Sequence, residues 1–278
     1  MKIPRYWASQ SATAKNPQGE TYTLKHWGYS DTSLADAQNH AAEKLRWVVE
    51  KLTRSGLGQH QYAYANSVRR EELIETIVDA DQQLLGAITR NRYGALVLNT
   101  ARLLIADVDQ QEPGLLARFK ALFGRQSQQP SPTRARIDQF QQAHPEYTLR
   151  IYQTHSGYRV MIVNQEFEPQ AETTRRVFDA LNCDPLYVTL CRAQDSFRAR
   201  LTPKPWRCDS LPPPNLFPRE TAAAQQHFER WLADYQRHSG AYAVCELAGH
   251  QAKPLSPAVA RLVHIHDQYV LHSGRPLA

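Results

Sequence analysis

Two aspartates, Asp107 and Asp109, end an apolar run that begins at Leu103. Side chains on a β-strand alternate between its two faces, so both carboxylates point the same way, with roughly 7 Å between their Cα atoms. A pair placed like this can share a divalent cation. The plainer alternative is a strand that simply runs into a polar turn, where Asp is common, because an isolated Asp-x-Asp is a short motif.

Basic residues on later segments are predicted to share the face of these aspartates. Residues 147–154, 158–163 and 196–201 alternate apolar and polar side chains, which is typical of strands. If the apolar members face the helices, the opposite face carries Arg150, Arg159, Arg198 and Arg200. Acids and arginines on one face suit a metal–triphosphate, although an ordinary solvated face with cross-strand ion pairs stays open. A register slip of one residue in any strand would move its arginines to the other face.

The N-terminal residues 1–82 are predicted to form a small α+β unit. Aromatic and β-branched runs near residues 5–8 and 22–29 indicate two strands. Ser33 begins a helix whose apolar positions recur at helical spacing as far as Leu52. A further strand is predicted at 62–65 and a further helix at 69–80, on the spacing of Leu73, Ile74 and Ile77.

Residues 83–207 are predicted to form the core that positions the acids and arginines. Strands at 85–89 and 95–99 precede the Asp-bearing strand, and a long polar connection over 110–133 includes a short helix at 115–123. Then follow a helix at 133–144, a hairpin, a helix at 170–181, a strand at 186–191 and a strand at 196–201. This order predicts an α+β protein with an RRM-like (split βαβ) antiparallel sheet, one face of which is free.

The remaining segment, 208–278, is predicted to be a proline-rich wrap followed by helices. The prolines gather between 203 and 218, helices are predicted at 220–238 and 257–271, and a strand at 242–247. His264, His266 and Asp267 can ligate metals, but positions two apart on a helix do not face each other, so a metal is not expected there.

Composition sets limits on environment and partners. The chain has 278 residues, of which 42% are hydrophobic, yet no stretch approaches the ~18 consecutive apolar residues of a membrane span, and the N-terminus lacks an apolar signal segment. Four cysteines without Cys-x-x-Cys spacing favour buried thiols and a reducing cytoplasm, and Cys191 is expected to be inert. A net charge of +6 and a pI near 9.2 favour polyanionic partners, although a mildly basic protein without such a partner is the alternative.

The motifs resemble those of the archaeo-eukaryotic primase (prim-pol) superfamily. Ile105-Ala-Asp-Val-Asp109 resembles the family's strand that ends in two acids, and Thr154-His-Ser-Gly-Tyr-Arg-Val160 resembles its hairpin motif. Thr189-Leu-Cys-Arg192 followed by Phe197-Arg-Ala-Arg-Leu-Thr-Pro-Lys204 is similar to its third region. The resemblance covers residues 84–207, and the whole chain also resembles a family of uncharacterised bacterial proteins, which implies no function.

The primase resemblance implies metal-dependent nucleotidyl or phosphoryl transfer of the primase-polymerase type. It implies that Asp107 and Asp109 hold Mg²⁺ or Mn²⁺ and that His155 assists catalysis. It also implies that a nucleoside triphosphate, and with it DNA or RNA, binds through Ser156, Arg159, Arg192, Arg198, Arg200 and Lys204.

The chain departs from the family at its third carboxylate, which would fall near Thr189; Asp184 and Asp195 are the acids that could replace it in space. A non-catalytic nucleotide- or nucleic-acid-binding protein with the same fold is therefore the alternative, and a globular partner protein whose Asp and Arg residues merely pair is a third possibility. The chain has no Walker loop, Gly-x-Gly-x-x-Gly or Gly-x-Ser-x-Gly motif, so those enzyme classes have no sequence support.

Overall fold

Three antiparallel sheets organise the part of the chain that the computed structural model describes, which is residues 1–55, 68–110, 131–250 and 256–278. One sheet has two strands and the other two have four strands each. Together with the helices described below, they make an α+β protein, as the sequence predicts.

The N-terminal sheet is a hairpin covered on one side by a helix. Strands β1 (Tyr6–Lys15) and β2 (Thr21–Ser30) pair along their whole length, and helix α1 (Leu34–Ser55) packs across them. The Ser33 hydroxyl accepts a hydrogen bond from the backbone N–H of Asp36, at 3.1 Å, and so caps the helix as expected. Both strands and the helix of the sequence prediction are confirmed.

The second sheet has the strand order β3-β4-β5-β9, with β3 at Glu72–Val78, β4 at Leu84–Arg90, β5 at Leu96–Thr100 and β9 at Phe197–Arg200. The predicted helix at 69–80 is wrong, because this stretch forms β3. Its apolar spacing suits a helix, but pairing with β4, with two register shifts, decides its conformation.

The third sheet carries the two aspartates and has the order β10-β7-β8-β6. Its strands are β6 (Leu104–Asp109), β7 (Leu149–Thr154), β8 (Gly157–Ile162) and β10 (Cys245–His250). The predicted hairpin is confirmed as β7 and β8. The predicted helices at 133–144 and 170–181 are also confirmed, as α2 (Pro132–Ala143) and α3 (Glu172–Leu181), whose apolar side chains join those of the sheet in one core.

The predicted strand at 186–191 is wrong, because it lies within helix α4 (Pro185–Gln194). Asp184 caps this helix by accepting a hydrogen bond from the backbone N–H of Leu186, and Pro185 occupies its first turn, where the missing N–H costs nothing. The strand predicted at 196–201 is confirmed as β9, but it pairs with β5 in the second sheet. The single continuous sheet expected from the sequence is therefore divided between two sheets.

The sheet face that the sequence analysis left free is covered. Helix α6 (Pro257–Val270) lies against it, and Tyr152, Arg159 and Met161 on that face are buried. The prediction of an open face is wrong there, because side chains of α6 bond to β7 and β8. Helix α5 (Ala222–Ser239) and a 3₁₀ turn at Pro205–Arg207 complete the described elements and confirm the C-terminal helical segment.

The predicted strand at 62–65 and the helix at 115–123 lie outside the described residues. Across the described ranges, no helix has both the length and the apolar character needed to cross a membrane. All four cysteines are buried free thiols.

Candidate functional site

Asp107 and Asp109 lie on the same face of β6, as predicted. The β6–β8 register sets Asp107 opposite Arg159 and Asp109 opposite Gly157, and residues directly opposite each other in an antiparallel pair share a face. Asp107 is half-buried and Asp109 is exposed at the strand end. The Asp109 carboxylate is therefore accessible at the end of the strand, and Asp107 lies one step deeper on the same face.

The β7–β8 turn brings His155 and Ser156 to the acidic strand end. The carbonyl of Ser156 accepts a hydrogen bond from the backbone N–H of Gln110, at 2.8 Å. A Cβ atom at Gly157 would lie 2.2 Å from the carbonyl oxygen of Val108, so only glycine permits this approach. The Ser-Gly pair that the sequence analysis singled out thus has a steric reason: it lets the turn sit against Asp109.

Three cations lie around the two aspartates. The side chains of Arg200, Lys204 and Arg207 each interact electrostatically with Asp107. Burial, opposed in part by these carboxylates, lowers the pKa of all three cations, and the pKa of Arg200 falls to about 10. The site therefore combines two carboxylates with three basic side chains.

The hydroxyl of Ser156 ties the turn to one of these cations. Arg207 Nη2 donates a hydrogen bond to Ser156 Oγ at 2.6 Å, and the imidazole of His155 lies 3.1 Å from the same oxygen. Burial and the charges of Arg207, Arg200 and Lys204 lower the pKa of His155, so its ring is neutral at pH 7 and can accept a proton.

A third carboxylate, Asp184, stands beside the pair. Its backbone N–H donates to the carbonyl of Asp107 at 3.2 Å. Burial, followed by the negative charges of Asp107 and Asp184, raises the pKa of Asp109. Asp184 Oδ1 also accepts from the N–H of Leu186 as the cap of α4, so this carboxylate is already partly engaged.

Arg159 is held inside the protein by its neighbours. Only 3% of its surface is exposed, and Nη1 donates to the carbonyl of Arg200 at 3.1 Å and contacts Nε2 of His266 at 2.8 Å. Because a guanidinium only donates hydrogen bonds, Nε2 of His266 must be the acceptor, and the ring proton must sit on Nδ1. Nδ1 lies 2.9 Å from Oδ1 of Asp267, which completes the Asp–His–Arg chain.

Asp267 also anchors β7 to α6. Its Oδ2 accepts from Arg150 Nη2 and its Oδ1 accepts from the Tyr152 hydroxyl, both at 2.5 Å. Burial opposes ionisation of Asp267, but hydrogen bonds from His266 and Tyr152 and the charge of Arg150 hold its pKa below the usual value. Arg150 therefore forms a partly buried ion pair with Asp267.

Two of the predicted nucleotide-binding residues lie elsewhere. Arg198 shares the face of Arg200 on β9, but its Nη2 donates to both carboxylate oxygens of Glu71, at 2.7 and 3.0 Å, and Nη1 donates to Gln194. Arg192 is exposed at the last turn of α4, where its carbonyl accepts from Gln170. The guanidinium of Arg198 is therefore engaged by Glu71 and Gln194.

Two of the three positions considered for the third carboxylate, Thr189 and Asp195, make other contacts. Thr189 is exposed on α4, where its hydroxyl donates to the carbonyl of Pro185. Asp195 pairs with the N-terminal ammonium group at 3.1 Å. The thiol of Cys191 is buried and its pKa is raised by burial to about 11, which agrees with the expectation of an inert cysteine.

Sequence reasoning missed Arg207, Glu71 and the inward role of His266. Arg207 follows Lys204 by three residues, which was a usable signal. The prolines on either side of Lys204 indicated an extended wrap, whereas the chain forms a 3₁₀ turn that places Arg207 near the aspartates. Glu71 had no signal, because it lies over a hundred residues from Arg198 in the chain. His266 was noted only as a metal ligand, whereas His264 is exposed and His266 is fully buried.

We call the site formed by Asp107, Asp109, His155, Ser156, Arg200, Lys204 and Arg207 the carboxylate–cation cluster. Within the described ranges, no three His, Cys, Asp or Glu side chains converge closely enough to hold a metal ion by themselves. Comparison of the chain with protein-family models, with curated proteins and with solved structures returned no match in any of the three.

Proposed function

We propose that the protein catalyses metal-dependent nucleotidyl or phosphoryl transfer of the primase-polymerase type at the carboxylate–cation cluster. The observation that carries the proposal is that Asp107 and Asp109, on one strand, lie among Arg200, Lys204 and Arg207 from a distant segment. These residues are distant in the chain, and the approach of β9 to β6 together with the 3₁₀ turn brings them together.

The donor set fits Mg²⁺ or Mn²⁺. Mg²⁺ keeps several waters and is usually bound by one or two carboxylates plus substrate phosphates, so two aspartates suffice once a triphosphate is present. Burial first, and then the negative charges of Asp107 and Asp184, raise the pKa of Asp109, and a bound cation would offset both effects. When bound, the cation would acidify the attacking hydroxyl and neutralise charge that develops on the phosphate.

The cations supply the phosphate side of the site. Arg200 contributes a positive charge beside Asp107, and its buried Nε is a donor without a hydrogen-bond partner among the described residues. Lys204 and Arg207 add two further positive charges, and Ser156 adds a hydroxyl. Neutral His155 at the turn would accept a proton near the reacting group.

The RRM-like assignment of the core belongs to the same proposal. The order β6-β8-β7, with α2 after β6 and α3 after β8, is the order of a split βαβ unit. Strand β9, which would complete that unit beside β6, pairs with β5. The four buried free thiols support a reducing cytoplasm as the location of the activity.

One observation favours the alternative, a non-catalytic nucleotide- or nucleic-acid-binding protein. Asp184, whose backbone bonds to Asp107, has its carboxylate engaged as a helix cap, which leaves two-metal catalysis short of a ligand. In that case the cluster would bind nucleotide without turning it over.

The test is incorporation of a labelled nucleotide by the full chain on a primed template with Mg²⁺ or Mn²⁺. We expect incorporation by the wild type, loss in Asp107→Asn and Asp109→Asn, and retention in the control Asp138→Asn. Asp138 pairs with Arg134 on the surface of α2 and therefore controls for the removal of one negative charge.

The enzyme proposal is wrong if the wild type incorporates nothing with either metal. If that protein still binds oligonucleotide with strong salt dependence, the non-catalytic alternative replaces it. If calorimetry detects neither Mn²⁺ nor nucleoside triphosphate binding and the protein also binds no oligonucleotide, both functions are excluded.

A further inference from the structure

Two exposed aromatic rings lie in contact beside the carboxylate–cation cluster. Trp206 is 51% exposed and Tyr93 is 39% exposed, and their ring centroids are 5.1 Å apart in an edge-to-face arrangement. Trp206 comes from the 3₁₀ turn that also carries Arg207, and Tyr93 comes from the turn between β4 and β5. We call these two residues the aromatic platform.

Each ring of the platform has a cation beside it. Lys204 Nζ lies 5.6 Å from the centroid of Trp206, and Arg92 Cζ lies 5.3 Å from the centroid of Tyr93. Lys204 also interacts electrostatically with Asp107 and Asp109. One ammonium group therefore links the platform to the carboxylates.

Rigid turns hold the platform. Asn91 accepts hydrogen bonds through Oδ1 from the N–H groups of Tyr93, at 2.9 Å, and Ala95, at 3.2 Å. At Gly94, where φ is +85°, an added Cβ would lie 2.1 Å from the ring of Trp231, so the turn is seated directly on α5. Arranging the rings in this way before a ligand arrives lowers the entropy cost of binding.

We propose that the aromatic platform stacks the bases of a single-stranded nucleic acid whose phosphates are bound by Arg92, Lys204 and Arg207. Base stacking on aromatic side chains tolerates any sequence, and cations along the same groove bind the backbone. A duplex does not fit, because its bases are already stacked and expose no face to the rings. The overall charge of +6 is consistent with a polyanionic partner.

The single strand on the platform would lie beside the nucleotide bound at the carboxylate–cation cluster. Only the role of this strand in nucleotide transfer rests on the proposed function. The chain supplies a matched control in Trp47, which is 63% exposed on α1 and has Lys51 Nζ 5.2 Å from its ring centroid. Trp47 repeats the exposed tryptophan and the adjacent lysine without the cluster.

The experiment measures fluorescence anisotropy of a labelled oligothymidylate and of a matched duplex with the full-length protein, in EDTA, over a range of salt concentrations. We expect Trp206→Ala to weaken single-strand binding about tenfold while the salt dependence is unchanged, because stacking releases no counterions. We expect Trp206→Phe to bind nearly as tightly as the wild type and Trp47→Ala to match it.

Equal affinity of Trp206→Ala and the wild type would overturn the inference, and so would an equal loss in Trp47→Ala or tighter binding of the duplex. Comparison of this binding measurement with the incorporation assay separates the two proposals. Retained single-strand binding that depends on Trp206, in a protein that incorporates no nucleotide, supports the platform and refutes only the enzyme. Nucleotide incorporation with binding unaffected by Trp206→Ala refutes only the platform.

Discussion

The buried imidazole of His266 should make the free energy of unfolding depend on pH. Burial, together with the charge of Arg159, lowers its pKa to about 4, although its bond to Asp267 acts in the opposite direction. In the unfolded chain the same group titrates near 6.5, so between these values the unfolded state binds more protons than the folded state. The free energy of unfolding contributed by this group is therefore complete above pH 6.5 and falls as the pH drops toward 4.

The size of the effect follows from the separation of the two pKa values. One pKa unit corresponds to about 1.4 kcal/mol, so the full loss is about 3 kcal/mol, of which about 2 kcal/mol appears by pH 5. The side chain is fully buried, so solvent screening does not reduce this value. We expect His266→Gln to lose this part of the pH dependence, because an amide can donate to Asp267 and accept from Arg159 without titrating.

The assay is urea unfolding followed by circular dichroism at about pH 7 and about pH 5. The control is His264→Gln, which removes an exposed imidazole from the same helix and should keep the wild-type pH dependence. Nitrogen chemical shifts of the His266 ring should show the proton on Nδ1. The reasoning is refuted if His266→Gln and the wild type lose the same free energy of unfolding on acidification.

Two further substitutions test packing within the fold. Glu71→Ala removes the carboxylate that pairs with Arg198, whose side chain is 11% exposed, and should lower the free energy of unfolding by about 3 kcal/mol. Glu71→Leu combined with Arg198→Met should recover most of this loss in the same urea titration. An equal loss in both variants would contradict this expectation. Gly28→Ala places a Cβ 2.2 Å from the carbonyl oxygen of Ala37 and should lower it by about 2 kcal/mol or more, against little change for Gly240→Ala, where the nearest atom is 3.3 Å away. A thermal melt of Gly28→Ala that overlays the wild type would show that α1 packs differently.

Local sequence determined most of the elements. Apolar spacing and capping residues were sufficient for α1, α2, α3 and α6, and alternation was sufficient for the hairpin β7–β8. Alternation also placed Asp107, Asp109 and Arg159 correctly on one face, because side-chain direction along a strand depends only on position. The steric need for Gly157 beside Asp109 is likewise visible as the Ser-Gly pair in the sequence.

Tertiary structure decided the rest. Whether residues 72–78 form a helix or a strand depended on β4 being available as a partner, and the sheet that β9 joins depended on β5. The sequence could not predict the partner of each arginine either. Arg198 pairs with Glu71 and Arg150 pairs with Asp267, whereas Arg200 lies beside Asp107. A periodic pattern states which way a side chain points, but the partner that it meets comes from a distant part of the chain, and only the packed fold brings the two together.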